Sequence, residues 1–203
     1  YPSNIRISEN VLFVGTVNTD ESTYQFSDKV LDRSNVMTLK MIPFGSIDET
    51  VGTSVERSKR EVIKASDFQK MKKVNTEAKL TSDEKNMLWE IHKALNNVDA
   101  NIGIGWRIVR QIDKYLMNIP DDIDSYTREK AFDMQIIQRV LTKVRGSEDQ
   151  MRALVGKDTA EGKHEPGKLE NILDQYSYSS PFEGSRQVIA RKSKELNLYG
   201  FTV

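Results

Sequence analysis

The sequence predicts a mostly helical fold with a small α/β part at its start. Three observations carry that expectation. From Ser82 onward, apolar residues recur at helical spacing in one segment after another. Ahead of them, an unbroken apolar run at 11–14 (VLFV) leads into a short helical pattern and then an alternating stretch. Between the two parts lies GSIDETVGTSVERSKR, polar and Gly-containing, which reads as a linker or insertion. The chain therefore divides into an α/β end at residues 1–45, a polar segment at 46–81 and a helical domain at 82–203.

The run at 11–14 is β-branched, aliphatic or aromatic throughout, as expected of a strand buried on both faces. Gly15 and Thr16 continue it, and Asn18 falls near its carboxyl end, where open α/β sheets bind ligands. Asn18 and Asp20 are also residues that simply favour a turn. FSDKVLDRS (26–34) predicts a short helix with Ser27 as N-cap and Asp28 in the first turn. NVMTLKMIPF (35–44) alternates and predicts a second strand, ended by Pro43. Two strands do not make a stable sheet by themselves. Further strands are expected from upstream of Tyr1 or from another chain, and the first residue, not being Met, suggests a fragment or processed product.

The helical part opens with SDEKNMLWEIHKALNNV, where Met87, Leu88, Ile91 and Leu95 share a face. GWRIVRQIDKYLMNI repeats the pattern through Ile108, Ile112 and Leu116. DSYTREKAFDMQIIQRVLTKVRG predicts the longest helix, with a stripe at Ala131, Met134, Ile137, Leu141 and Val144 and a C-cap at Gly146. Residues 156–168 read as a loop. GSRQVIARKSKELNLYG predicts a last helix closed by Gly200, and FTV a short terminal strand. No solenoid-type repeat is present.

Composition removes several function classes. The chain of 203 residues carries 30 Lys+Arg and 30 Asp+Glu, so no net field draws it to nucleic acid or an anionic membrane. It has no cysteine, which excludes disulfides and thiolate metal sites and suits the cytoplasm. No stretch approaches the ~20 apolar residues that span a bilayer. A self-sufficient catalytic set is also missing. GKHEPGKL (162–169) has phosphate-loop spacing, but Leu169 stands where the Mg²⁺-binding hydroxyl is needed and Pro166 removes an N–H. No apolar strand ends in Asp-Glu. His92 and His164 lack metal-ligand spacing, the first reading as packed or surface and the second as solvated. No metal site is expected.

VLFVGTVNTDEST together with FSDKVLDRSNV resembles the sensor-1 strand and following helix of McrB-like AAA+ NTPases, the motor subunits of modification-dependent restriction systems. Gly15-Thr16-Val17-Asn18 matches the strand ending, and Leu31-Asp32-Arg33-Ser34-Asn35-Val36 the helix ending. IGWR (104–107) resembles the start of the lid's sensor-2 helix, residues 131–147 a lid helix with its Gly-Ser turn, and GFTV the terminal strand. The resemblance implies the end of an AAA+ core, followed by a helical lid.

It also implies roles. Asn18 would orient the attacking water, since an amide both donates to phosphate and accepts from water. Glu21, or Asp20 beside it, would add an acid. Arg33 would be an arginine finger reaching a neighbour's nucleotide; its other reading is a surface Arg paired with Asp28 or Asp32. Arg107 would contact phosphate from the lid, or else face solvent. Trp106 reads as a core anchor. The parent protein would hydrolyse ATP or GTP with Mg²⁺ in a homo-oligomeric ring and drive or control a partner nuclease on DNA. The 203 residues alone, lacking Walker A and Walker B sequences, would bind no nucleotide tightly and hydrolyse none. The alternative is a helical interaction or DNA-binding module without activity, using the cations of RIVRQIDK and QVIARKSK. No basic-aromatic stripe is evident in the sequence to support it.

Overall fold

The computed structural model describes residues 4, 6–8, 11–17, 26–39, 62, 64–72, 75–119, 126–159 and 163–202. Two compact units divide the chain: Tyr1–Gln25 with Lys40–Lys72, and Phe26–Leu39 with Lys73–Val203. The described residues are mostly helical, with two small two-stranded antiparallel sheets.

In the first unit the described secondary structure is a helix at Ala65–Met71. Residues 11–17 do not form the expected strand. Leu12, Phe13 and Val14 are 74%, 79% and 89% exposed. A strand is stabilised by a ladder to a neighbour, and no described residue supplies one. In the second unit, residues 35–39 likewise form no strand, for the same reason. The helix expected at 26–34 shortens to α1 (Asp28–Leu31), preceded by Ser27 in extended conformation.

The rest of the second unit is built from α3 (Ser82–Val98), α4 (Trp106–Leu116), α5 (Arg128–Gln135), α6 (Glu148–Val155), α7 (Lys168–Gln175) and α8 (Glu183–Tyr199), with α2 denoting Ala65–Met71. Side-chain caps open α3 and α5. Thr81 Oγ1 accepts from Glu84 N at 3.2 Å, while Glu84 Oε2 accepts from Thr81 N at 2.8 Å, a reciprocal capping box. Thr127 caps α5. The buried Asp133 reaches across to α8 and accepts from Gly184 N and Ser185 N at 2.8 and 3.0 Å, and from Ser185 Oγ. α8 ends at Gly200, φ 73°, the left-handed cap that glycine takes without strain.

α6 packs on α7 and α8, α3 on α6 and α7, and α5 on α4 and α8. The shared core includes Leu88, Ile91, Leu95, Ile108, Ile112, Leu116, Phe132, Ile136, Val140, Met151, Leu173 and Leu196. Phe132 and Phe182 meet edge to face at 5.8 Å. α5 departs from the predicted regular stripe. It widens into a π-turn at Ile136–Val140 and tightens into a 3₁₀ turn at Leu141–Lys143. Of the expected stripe, Ala131, Leu141 and Val144 are buried, Ile136 and Val140 are fully buried beside them, and Met134, ahead of the π-turn, is 36% exposed. Gly146 is not a C-cap: it opens β1 (Gly146–Ser147), which pairs antiparallel with β4 (Phe201–Thr202), the terminal strand expected from FTV.

The expected loop at 156–168 contains a hairpin, β2 (Lys157–Asp158) with β3 (His164–Glu165), and then the start of α7. Gly167 explains why the phosphate-loop spacing there is fortuitous. A Cβ on it would lie 2.3 Å from Gly156 N and Leu154 O, so the glycine serves close packing. Its N–H donates to Glu170 Oε2 at 3.0 Å, placing a carboxylate where a phosphate would have to sit. His164 is exposed, as expected, and pairs with the same carboxylate at 2.9 Å.

Candidate functional site

Among the residues singled out by the resemblance, Asn18, Asp20 and Glu21 lie outside the described residues. Arg33 and Arg107 lie within them, both in the second unit.

Arg33 sits in the turn that follows α1. The carbonyl of Val30 accepts from Arg33 N, Ser34 N and Ser34 Oγ at 3.0, 3.0 and 2.9 Å, winding the turn tightly on itself. Leu31 is the buried anchor of this segment. Three cations from the end of α5 and the turns after it then hold it. Arg145 donates to Asp28 Oδ1 at 2.8 Å and to the Phe26 carbonyl at 2.6 Å. Lys143 reaches Asp32 Oδ1 at 2.5 Å. Arg139 Nη1 donates to the Ser34 carbonyl at 3.1 Å. Both acids flanking Arg33 are thus engaged by other cations. Arg33 itself is exposed, with no ion pair recorded among the described residues.

Arg139 also links this segment to the helix that carries Arg107. Its Nη1 donates to Gln111 Oε1 on α4 at 2.8 Å, and its Nε to Gln135 Oε1 at 2.8 Å. Gln111 lies one helical turn beyond Arg107, on the same side of α4. Burial lowers the Arg139 guanidinium below its ordinary pKa, with Tyr115 partly opposing the shift. Arg107 stands exposed in the first turn of α4, whose N-cap Gly105 provides no side-chain acceptor.

Trp106, expected to anchor the core, is 73% exposed. It occupies the first position of α4, on the side opposite Ile108, Ile112 and Leu116, which fill the core. His92 is packed: its ring stacks on Trp89 at 4.8 Å, and Nδ1 accepts from Ile104 N at 3.0 Å. Among the described residues no group of His, Asp or Glu could hold a metal ion, and no helix is long and apolar enough to cross a membrane.

Sequence reasoning missed Arg139, Lys143 and Arg145. The available signal was the four-residue spacing of Arg139 and Lys143 on an otherwise apolar helix, which places both on one side. A family model described as a domain of unknown function, DUF8727, matches residues 54–201. No curated protein and no solved structure matches the chain.

Proposed function

The chain belongs to the DUF8727 family, and we propose that it forms the sensor and lid end of a cytoplasmic McrB-like AAA+ NTPase. In this reading the phosphate loop and Mg²⁺-holding acids come from sequence outside these 203 residues. The ring hydrolyses ATP or GTP and works on DNA through a partner nuclease. Asn18 orients the attacking water with Glu21 nearby, Arg107 contacts phosphate from the lid, and Arg33 completes the site of the adjoining subunit.

The observation that supports this best is the state of Arg33. A finger has to be held by its base and free at its tip. The segment around Arg33 is anchored by Arg139, Lys143 and Arg145, while the Arg33 guanidinium is exposed and both nearby carboxylates are occupied. Among the described residues no ion pair joins Arg33 to Asp28 or Asp32, which favours the finger over the surface-pair reading. A guanidinium spreads donors over several phosphate oxygens and stabilises charge that develops as the phosphoryl group transfers.

Asn18→Ala in the full-length assembly tests the chemistry. A water-positioning amide acts mainly in the transition state, so kcat should fall while nucleotide affinity stays nearly unchanged. Lost affinity with an unchanged kcat would mark Asn18 as a structural turn residue.

A further inference from the structure

We propose that the outward face of the α3–α4 pair binds single-stranded nucleic acid. The surface uses neither Asn18, Arg33 nor Arg107 and goes beyond the nucleotide-hydrolysis reading. Two hydrogen bonds set the pair's geometry. Ile104 N donates to His92 Nδ1 at 3.0 Å, bringing the start of α4 beside the middle of α3. Leu80 N donates to Asp113 Oδ1 at 2.9 Å, bringing the last turn of α4 beside the start of α3. The helices therefore run antiparallel, and the solvent-facing positions beside these ties, at 85, 89 and 93 on α3 and 106, 110 and 114 on α4, lie on one outward side.

That side carries both tryptophans of the chain. Trp89 is 58% exposed and stacks on His92, the residue that holds Ile104. Trp106 is 73% exposed and lies two residues beyond Ile104. Trp106 directly follows the α3–α4 loop, and Trp89 reaches the same loop through His92. Lys85 and Lys93 stand one turn to either side of Trp89, and Arg110 and Lys114 one and two turns beyond Trp106; all four cations are exposed. None has an ion pair recorded among the described residues. The acid on this side of α4, Asp113, spends an oxygen on Leu80.

Two exposed indoles flanked by four cations match a polyanion that also presents flat aromatic groups. Single strands offer this: unpaired bases stack on the rings while the phosphates meet the cations. In a duplex the base faces are already stacked on one another, and the indoles would have nothing to hold. The chain's zero net charge makes this local concentration of cations the more distinctive.

The test uses this chain with labelled oligo-dT of about 20 nucleotides. Anisotropy should show saturable binding, and tryptophan emission should be quenched in parallel because both indoles are at the face. With four phosphate contacts the slope of log K against log salt should be about −3, so affinity falls roughly 50-fold between about 50 and 200 mM salt. Trp89→Ala with Trp106→Ala should weaken binding by at least about 30-fold. Arg110→Ala with Lys114→Ala should roughly halve the salt slope. The second pair lies on an exposed helical face, so it remains informative if the tryptophan variant misfolds by circular dichroism. Equal affinity for duplex DNA of the same length would overturn the assignment, as would oligo-dT binding that both pairs leave intact. Absence of binding and quenching at low salt would also overturn it, leaving the face to a protein partner.

Discussion

The ammonium of Lys143, 3% exposed, lies 2.5 Å from Oδ1 of Asp32, a residue 111 positions earlier in the chain. An ammonium this deep is sustained by its partner, because desolvating it alone costs several kcal/mol. Asp32 keeps 35% exposure and can be solvated without the lysine. The two ends of the pair are therefore unequal. Asp32→Ala should destabilise the chain by about 3 kcal/mol, whereas Lys143→Met should cost less than about 1 kcal/mol. The double variant should recover most of the Asp32→Ala loss. Urea midpoints of the three variants check this, and equal losses from the two single variants would contradict it.

Lys192 gives a pH dependence of unusual sign. Burial pushes its ammonium down to about 8, Glu195 opposes the shift, and Arg191 and Arg145 add to it. The unfolded lysine titrates near ~10.4. Below pH 8 both states hold the proton, and the cost of burying the charge is fully present. Between about 8 and 10.4 the unfolded state binds more protons, so stability rises with pH, by on the order of 3 kcal/mol in total. Urea midpoints should therefore increase from about pH 7.5 to 9.5, and Lys192→Met should flatten that rise. The range stops there because Tyr126, raised by burial and its bond to Tyr115, favours the opposite trend once unfolded tyrosines ionise near ~10.

Asp133 ties α5 to the first turn of α8 through three donors. Phe182, just before α8, sits at φ 52° and cannot cap the helix itself. Asp133→Ala leaves the Gly184 and Ser185 N–H groups without their acceptor. The loss should be about 2 kcal/mol, with the melting temperature falling by several degrees. Asp133→Asn retains an acceptor oxygen and should cost less. An unchanged melting temperature in the Ala variant would show that water replaces the carboxylate.

The helical half was legible in the sequence because its apolar periodicity and caps agree. The faces read at Ile91, Leu95, Ile108, Ile112 and Leu116 are buried, and Gly200 ends α8 where expected. Features that depend on contacts distant in sequence were not legible. Residues 11–17 have strand composition, but a strand also needs a neighbour. The π-turn at Ile136–Val140 adds Ile136 and Val140 to the core beside the expected Leu141 and Val144, which a pattern of 3.6 residues per turn does not reveal. Residue type alone places Trp106 in the core, yet its helical position faces away from Ile108 and Ile112. The anchoring of the Arg33 segment joins positions more than 100 residues apart, as the 111-residue separation of Asp32 and Lys143 illustrates. Local patterning carries no signal for such a contact.

The most direct test of the account is the trans action of Arg33 in the assembled ring. If the proposed function holds, Arg33→Ala subunits alone should hydrolyse nucleotide slowly, since transition-state arginines are worth about 10³–10⁵-fold in NTPases that use them. They should regain measurable activity when mixed with subunits whose phosphate loop is disabled. In such rings an intact nucleotide site on an Arg33→Ala subunit receives the finger of its neighbour. Near-normal hydrolysis by the pure Arg33→Ala ring would contradict the account, as would a slow variant that gains nothing in mixed rings shown to assemble.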